Sequence, residues 1–267
     1  MTIQLPQVGQ DGSPDQAALP AALPVLPLKD SVTFPDTMTP LAVGQERSVR
    51  MINDVLGGNR LLVMVTAKDP DIDEPGPDDL YDVGVVGVVA RMLKVPDGTL
   101  RIIVQGTQRV RLTGFVATEP YLIAQIEEEP DILEPSPELE ALSRNVQNLF
   151  SQIIEQTPYL PEELSVALAN LDDPSELAHM IAGALRIKTE EKQELLEERD
   201  VGKRLRRLSQ LLSQELEVIT LGTKIQTQVQ SEMEQSQREY FLRQQLKAIQ
   251  QELGEVDETQ AEVNDLR

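Results

Sequence analysis

The spacing of apolar residues changes once along the chain, near Pro135. Before that point the apolar positions come in short runs and alternations of period 2; after it they recur every three or four residues. In the first half, Leu23-Pro-Val-Leu-Pro-Leu28 is an apolar run whose prolines suit an edge strand. Val49, Ile52 and Leu56 share a helical face, so a short helix is predicted from Gln45 to Leu56, stopped by Gly57-Gly58. Leu61 to Thr66 is apolar and β-branched, as a buried strand is, and Lys68 to Asp79 is an acidic, proline-rich loop. Tyr81 to Val95 and Thr99 to Gln105 flank the turn signal Pro96-Asp97-Gly98 and predict a hairpin. Gln108 to Phe115 alternates, with Val110 and Leu112 opposed to Arg109, Arg111 and Thr113, and Tyr121 to Ile126 is the last strand expected. Short strands, tight turns and one small helix predict a mainly antiparallel β domain that closes partly into a barrel.

In the second half, Ser136-Pro137 supplies an N-cap and a proline at the first helical position, ahead of the stripe Leu139, Leu142, Val146, Leu149 and Ile153. Pro161 to Leu171 and Asp173-Pro174 to Ile187 repeat the pattern, and Thr189 to Glu198 begins another helix that Asp200 separates from the next. From Val201 the stripe runs through Leu205, Leu208 and Leu212, slips by one residue to Leu216 and Ile219, and resumes as Leu242, Leu246, Ile249, Leu253 and Val256. That narrow seam is the spacing of a coiled coil rather than of a globular face. No proline interrupts the run after Val201, so one helix on the order of 80 Å long is expected, at 1.5 Å per residue. Its middle, Thr223 to Gln237, is mostly Gln, Ser, Thr and Glu; such a stretch has little to bury and needs partners. The expected fold class is therefore α+β: a tail over 1–22, a β domain over 23–130, a helical bundle over 135–200, a long protruding coiled-coil-type helix over 201–255, and a linker over 256–267.

Composition narrows the function. The formal net charge is −21 with an isoelectric point near 4.4, which speaks against a nucleic-acid surface and against an anionic membrane. No stretch approaches the roughly 18 to 20 apolar residues of a membrane span, and the absence of cysteine fits the cytoplasm. No phosphate-binding G-x-x-x-x-G-K-[ST] loop and no G-x-S-x-G elbow occur, and no serine has a lysine three positions later. Asp69, Asp71 and Asp73 imitate a calcium loop, but Glu74 stands where glycine is needed and Leu80 where the bidentate Glu belongs. The single histidine, His179, reads as an ordinary helix-flank residue, and Lys203, Arg204, Arg206 and Arg207 read as a solvated or inter-subunit face. Met233, Tyr240 and Phe241 sit on a helix with little core to enter. They either pack against a neighbouring helix or domain, or offer handholds to unfolded polypeptide.

The chain resembles the amino-terminal region of the ATP-dependent Lon proteases, from about Leu23 to Glu255. The resemblance rests on Leu23-Pro-Val-Leu-Pro-Leu-Lys-Asp30 with Phe34-Pro35, on Pro40-Leu-Ala-Val-Gly-Gln-Glu-Arg-Ser48, and on Val104-Gln-Gly-Thr-Gln-Arg-Val110. The most particular matches are Lys224-Ile-Gln-Thr-Gln-Val229 and Ser236-Gln-Arg-Glu-Tyr-Phe-Leu-Arg-Gln-Gln-Leu-Lys-Ala-Ile-Gln-Gln-Glu-Leu-Gly254.

The resemblance implies a PUA-like β domain in a non-catalytic substrate-recognition region of an ATP-dependent serine protease. It implies unfolded or damaged proteins as partners, together with neighbouring subunits of a homo-hexamer, in the cytoplasm, with no nucleic acid or membrane bound through this region. ATP, magnesium and the Ser-Lys protease chemistry are expected only in domains beyond this stretch, so no catalytic, cofactor or metal residue is expected here. The residues expected to touch substrate are Glu46, Arg47 and Arg50, carried over from the family, with Met233, Tyr240 and Phe241. Two other readings stay open: a stand-alone PUA-like module for RNA or a small ligand, and a structural coiled-coil adaptor.

Overall fold

The first-half pattern becomes six strands in a computed structural model: β1 Ala22–Leu28, β2 Met38–Val43, β3 Leu61–Thr66, β4 Val83–Lys94, β5 Leu100–Ala117 and β6 Ile123–Glu128. The structure describes residues 19–96, 98–157, 160–161 and 163–252. Residues 1–18 of the tail expected over 1–22, the turn residue Asp97, the seam positions Leu253 and Val256, and the linker expected over 256–267 lie outside the described residues; Ala22, expected in the tail, begins β1. The strand order is β2-β5-β4-β3-β1-β6, and β5 also pairs with β6, which closes the sheet on itself. All pairs are antiparallel except β1 with β3, which are joined through β2 and the helix α1, Glu46–Gly57.

Closure depends on the length of β5. Its first half pairs with β2 and its second half, from Val110 onwards, with β6. The expected strands end at Gln105 and resume at Gln108, but a single strand runs through Gly106. A side chain on Gly106 would place its Cβ 2.4 Å from the Phe34 carbonyl oxygen, and the Gly106 N–H donates to Thr37 O at 2.9 Å. Glycine is required there for close approach of a neighbouring loop, not for a turn.

Alternate residues of β3 serve two apolar clusters: Leu62 and Met64 face one, Val63 and Val65 the other. The first cluster continues out of the sheet, through Met51 and Ile52 of α1, into the helices α2 Pro137–Gln156, α4 Pro174–Ala184, α5 Thr189–Glu197 and α6 Val201–Glu252. A short α3, Glu163–Ala169, lies between α2 and α4. The caps are local and legible: Ser136 Oγ accepts from Leu139 N at 3.1 Å, and Asp173 Oδ1 accepts from Ser175 N. Asp200 Oδ1 accepts from Lys203 N at 3.0 Å and so caps α6.

α6 has two regimes. Val201, Leu205, Leu208, Leu211 and Leu212 are buried against the bundle, Leu216 and Ile219 are half-buried, and every described residue from Leu221 to Gln251 is exposed. The helix runs unbroken through Gly222.

Candidate functional site

Two surfaces hold the substrate-contact residues singled out by the sequence; a third surface and an internal cluster do not follow from it. Glu46, Arg47 and Arg50 lie together on the first turns of α1. Glu46 and Arg50 form an exposed i,i+4 pair at 3.5 Å, worth a few tenths of a kcal/mol at most. The Arg47 Nη2 donates instead to Pro75 O at 2.5 Å, and the neighbouring Gln45 Nε2 donates to Asp73 O. Arg47 is thus half-buried and ties α1 to the acidic loop, whose Asp73 also pairs with Lys29 at 3.0 Å. A cleft of about 290 Å³ opens beside this corner, between the ends of β1 and β2, lined by Lys29, Leu41, Gln45, Ser48 and Pro75.

Met233, Tyr240 and Phe241 lie on the outer half of α6, each more than half exposed. Among the described residues nothing covers them. Tyr240 Oη receives only a hydrogen bond from Gln244 Nε2 one turn along. These three and the α1 charges occupy separate elements, so they form two surfaces and not one pocket.

The third surface is the outward side of β2, β5 and β4. A groove of about 600 Å³ is lined there by Leu93 and Ile103 between Arg91 and Arg101.

The internal cluster joins barrel to bundle. Asp131, just after β6, receives a bidentate pair from Arg204 of α6, Nη2 to Oδ1 at 2.6 Å and Nη1 to Oδ2 at 3.0 Å. Arg109 of β5 donates from Nη2 to the same Oδ1 at 2.6 Å, and Ser175 of α4 donates its hydroxyl to Oδ2. The rest of each guanidinium is met by carbonyls: Arg204 Nε by Glu198 O at 3.0 Å, Arg109 Nε by Glu129 O at 3.1 Å and Arg109 Nη1 by Leu196 O at 2.9 Å. Arg204 is therefore no part of a solvated face. It is fully buried, whereas Lys203, Arg206 and Arg207 keep the surface position expected of them. Burial alone would raise the Asp131 carboxyl, but Arg204, Ser175 and Arg109 together hold it well below the usual carboxylate range.

His179 of α4 is likewise a core residue and not a flank residue. Its Nε2 lies 2.9 Å from Arg204 Nη1. Because a guanidinium can only donate, Nε2 accepts and the proton sits on Nδ1, which faces Asp36 Oδ2 at 3.7 Å. Burial and the neighbouring Arg204 charge depress the imidazole below its ordinary value, against the opposing pull of Asp36 and Asp131. A histidine kept neutral in the fold is protonated first in the unfolded chain. Stability is therefore complete above the unfolded value of 6.5 and declines as pH falls below it. Between about pH 7.5 and about pH 5.5 the natural chain should lose more stability, by urea denaturation, than His179→Gln does; equal losses would contradict the assignment. The sequence holds a signal for two members of this cluster: His179 and Arg204 adjoin the apolar core positions Ala178 and Leu205. It does not show that they meet.

The comparisons agree with this architecture. The family model described as the ATP-dependent protease La (LON) substrate-binding domain matches residues 22–214. The Lon protease of Dictyoglomus thermophilum is 45% identical over 249 residues, which cover 93% of this chain and 31% of that protein. The Lon protease of Koribacter versatilis is 43% identical over 255 residues, 95% of this chain and 31% of that protein. The chain thus spans about a third of the length of these curated relatives. Two solved structures share the fold. The N-terminal domain of a Mycobacterium avium complex Lon protease has a TM-score of 0.61 at 23% identity, covering 72% of this chain and 98% of that one. The Lon N-terminal domain protein from Xanthomonas campestris has a TM-score of 0.50 at 19% identity, covering 70% and 96%.

The Lys203 N–H at the start of α6 donates to the chain's own Asp200 carboxylate, which occupies the position a phosphate would take at this helix start. The family match ends at residue 214, within two residues of Leu212, the last buried position of α6. Matched over the barrel, the bundle and the anchored start of α6, the chain belongs to the LON substrate-binding domain family.

Proposed function

We propose that the chain is the non-catalytic substrate-recognition and assembly region of an ATP-dependent serine protease of the cytoplasm. On this reading it catches unfolded or damaged polypeptide by several weak contacts and passes it to a hexameric ATPase ring, which carries the ATP, the magnesium and the peptide-bond chemistry. The observation that carries the reading is the two-regime helix. α6 buries its apolar stripe as far as Leu212, then leaves Leu221, Ile225, Val229, Met233, Tyr240, Phe241, Leu242, Leu246 and Ile249 open. A chain that needed none of these for a partner would not keep so many apolar side chains in water on one element.

The stripe through Leu242, Leu246 and Ile249 suits a neighbouring subunit, since its spacing is that of a helix seam. Met233, Tyr240 and Phe241 suit client chains, because flexible thioethers and flat rings accept many shapes. Glu46, Arg47 and Arg50 would add a charged contact at the barrel, although Arg47 is already engaged by the acidic loop.

Photo-cross-linking of an unfolded client carrying benzophenone groups tests the reading. Adducts should concentrate on the barrel surface and between Met233 and Leu242; adducts spread without preference over the whole chain would overturn it. The double substitution Tyr240→Ser with Phe241→Ser should change folding stability by less than about 0.5 kcal/mol, because both sites are exposed. The same variant should lose most adducts on α6. An unchanged adduct pattern would remove these two rings from the capture surface.

A further inference from the structure

Across β2, β5 and β4, Pro40, Ile103 and Arg91 stand in one row, and Ala42, Arg101 and Leu93 in another. Residues opposed on neighbouring strands share a face. Leu100, Ile102 and Val104 point into the core, so both of these rows lie on the outward side of the sheet. A bulge in β4 puts them there. The register shifts between Val89 and Arg91, leaving Ala90 as the extra residue; without it, Arg91 and Leu93 would turn inward and Met92 would take their place. The outcome is an exposed apolar strip, Leu93 at 65% accessible with half-buried Ile103 diagonal to it, between two arginines, while Met92, opposed to Ile102, stays on the other face.

The charge here is opposite to that of the molecule. The chain carries −21 overall, yet none of the ion pairs among the described residues involves Arg91, Lys94 or Arg101. At physiological salt, charges more than about 8 Å away are largely screened, so the local cations set the sign that a docking segment meets. The edge of β2 is less suited to docking than the face. Pro40 has no N–H, which blunts strand addition, while the groove itself is open.

We propose that this groove selects apolar protein segments flanked by carboxylates. The proposal rests on the capture reading above and names the class of client segment that the barrel prefers. Apolar side chains of the segment lie on Ile103 and Leu93, and Asp or Glu on either side of them reach Arg91 and Arg101. The charges act on selection and encounter more than on total affinity.

Fluorescence anisotropy with the whole chain and three labelled peptides tests this. The peptides share one Leu-Phe-Val core and differ in flanks of Glu, Ser or Lys. The Glu-flanked peptide should bind about tenfold tighter than the Lys-flanked one at low salt, a gap that closes as salt is raised. Arg91→Glu with Arg101→Glu, both on the surface, should reverse the ranking, and Leu93→Ser with Ile103→Ser should weaken all three peptides alike. Equal binding of the three would overturn the charge selection while leaving capture standing. No binding of any of them would overturn both. Complete displacement of the Glu-flanked peptide by a single-stranded oligonucleotide of equal charge would show a general anion surface and overturn the proposal.

Discussion

Asp131→Ala is expected to lower folding stability by about 3–5 kcal/mol, the range for a buried ion pair that loses one partner. The asymmetry of the site explains the size. Among the described residues Asp131 is the only carboxylate that hydrogen-bonds both Arg109 and Arg204, and their side chains are 2% and 0% exposed. Without it two guanidinium groups remain in the interior with only carbonyl, hydroxyl and imidazole partners. Arg204→Met should be milder, because it removes a buried cation together with its desolvation cost and leaves Asp131 paired with Arg109. Combining Asp131→Asn with Arg204→Met should cost less than the sum of the two single changes.

The pH dependence has a definite sign. Asp131 is held below its unfolded value of 3.8, so its contribution is complete above that value and disappears as pH falls through and below it. The gap between the natural chain and Asp131→Ala should therefore narrow in acid. Urea denaturation at neutral pH checks the magnitude, and a loss below about 1 kcal/mol would show that the cluster is not what locks the bundle to the barrel. The position of the cluster gives it a second consequence. Arg204 lies one turn into α6 and Asp131 directly follows the last strand, so the same bonds fix the direction in which the long helix leaves the body.

Joining six copies of the chain on an artificial hexameric scaffold is expected to raise the apparent affinity for one unfolded client by about 10²–10⁴-fold. No new contact is needed for this. Once one copy holds a client, the others meet it at the high effective concentration set by their tethers, and the client leaves only when all contacts are open together. The open surfaces on the barrel and on α6 are small and separate, as weak individual contacts require. Anisotropy of a labelled unfolded protein, measured against the single chain and the scaffolded one, checks the gain. Equal apparent affinity per chain would sink the multivalent account.

Local pattern carried most of the fold. The helix at Glu46–Gly57, the capped α2, the Asp200 cap and the long helix after Val201 all follow from spacing and cap residues near each other in sequence. Non-local features were not legible. The parallel pairing of β1 with β3 and the closure of β5 on β6 join segments far apart in the chain, and alternation says only which residues share a face. Gly106 misleads because glycine marks turns and close approaches alike. Arg204 misleads for a related reason: on a helix it stands beside Lys203, Arg206 and Arg207, and only the folded chain shows that Asp131 is waiting for it. The Leu93 and Arg91 groove depends on a one-residue bulge, which no periodicity reveals. The uncovered half of α6, by contrast, could be read directly, because Thr223 to Gln237 offers almost nothing to bury.

Small-angle scattering of the isolated chain tests the central claim, that α6 is anchored at its start and open beyond Leu221. A compact chain of 267 residues would have a radius of gyration of about 18 Å. The account predicts a value well above that, with a longest dimension beyond about 80 Å from the helix alone. A radius near 18 Å, with no extended tail in the distance distribution, would mean that the outer half of α6 folds back on the body, and would contradict it.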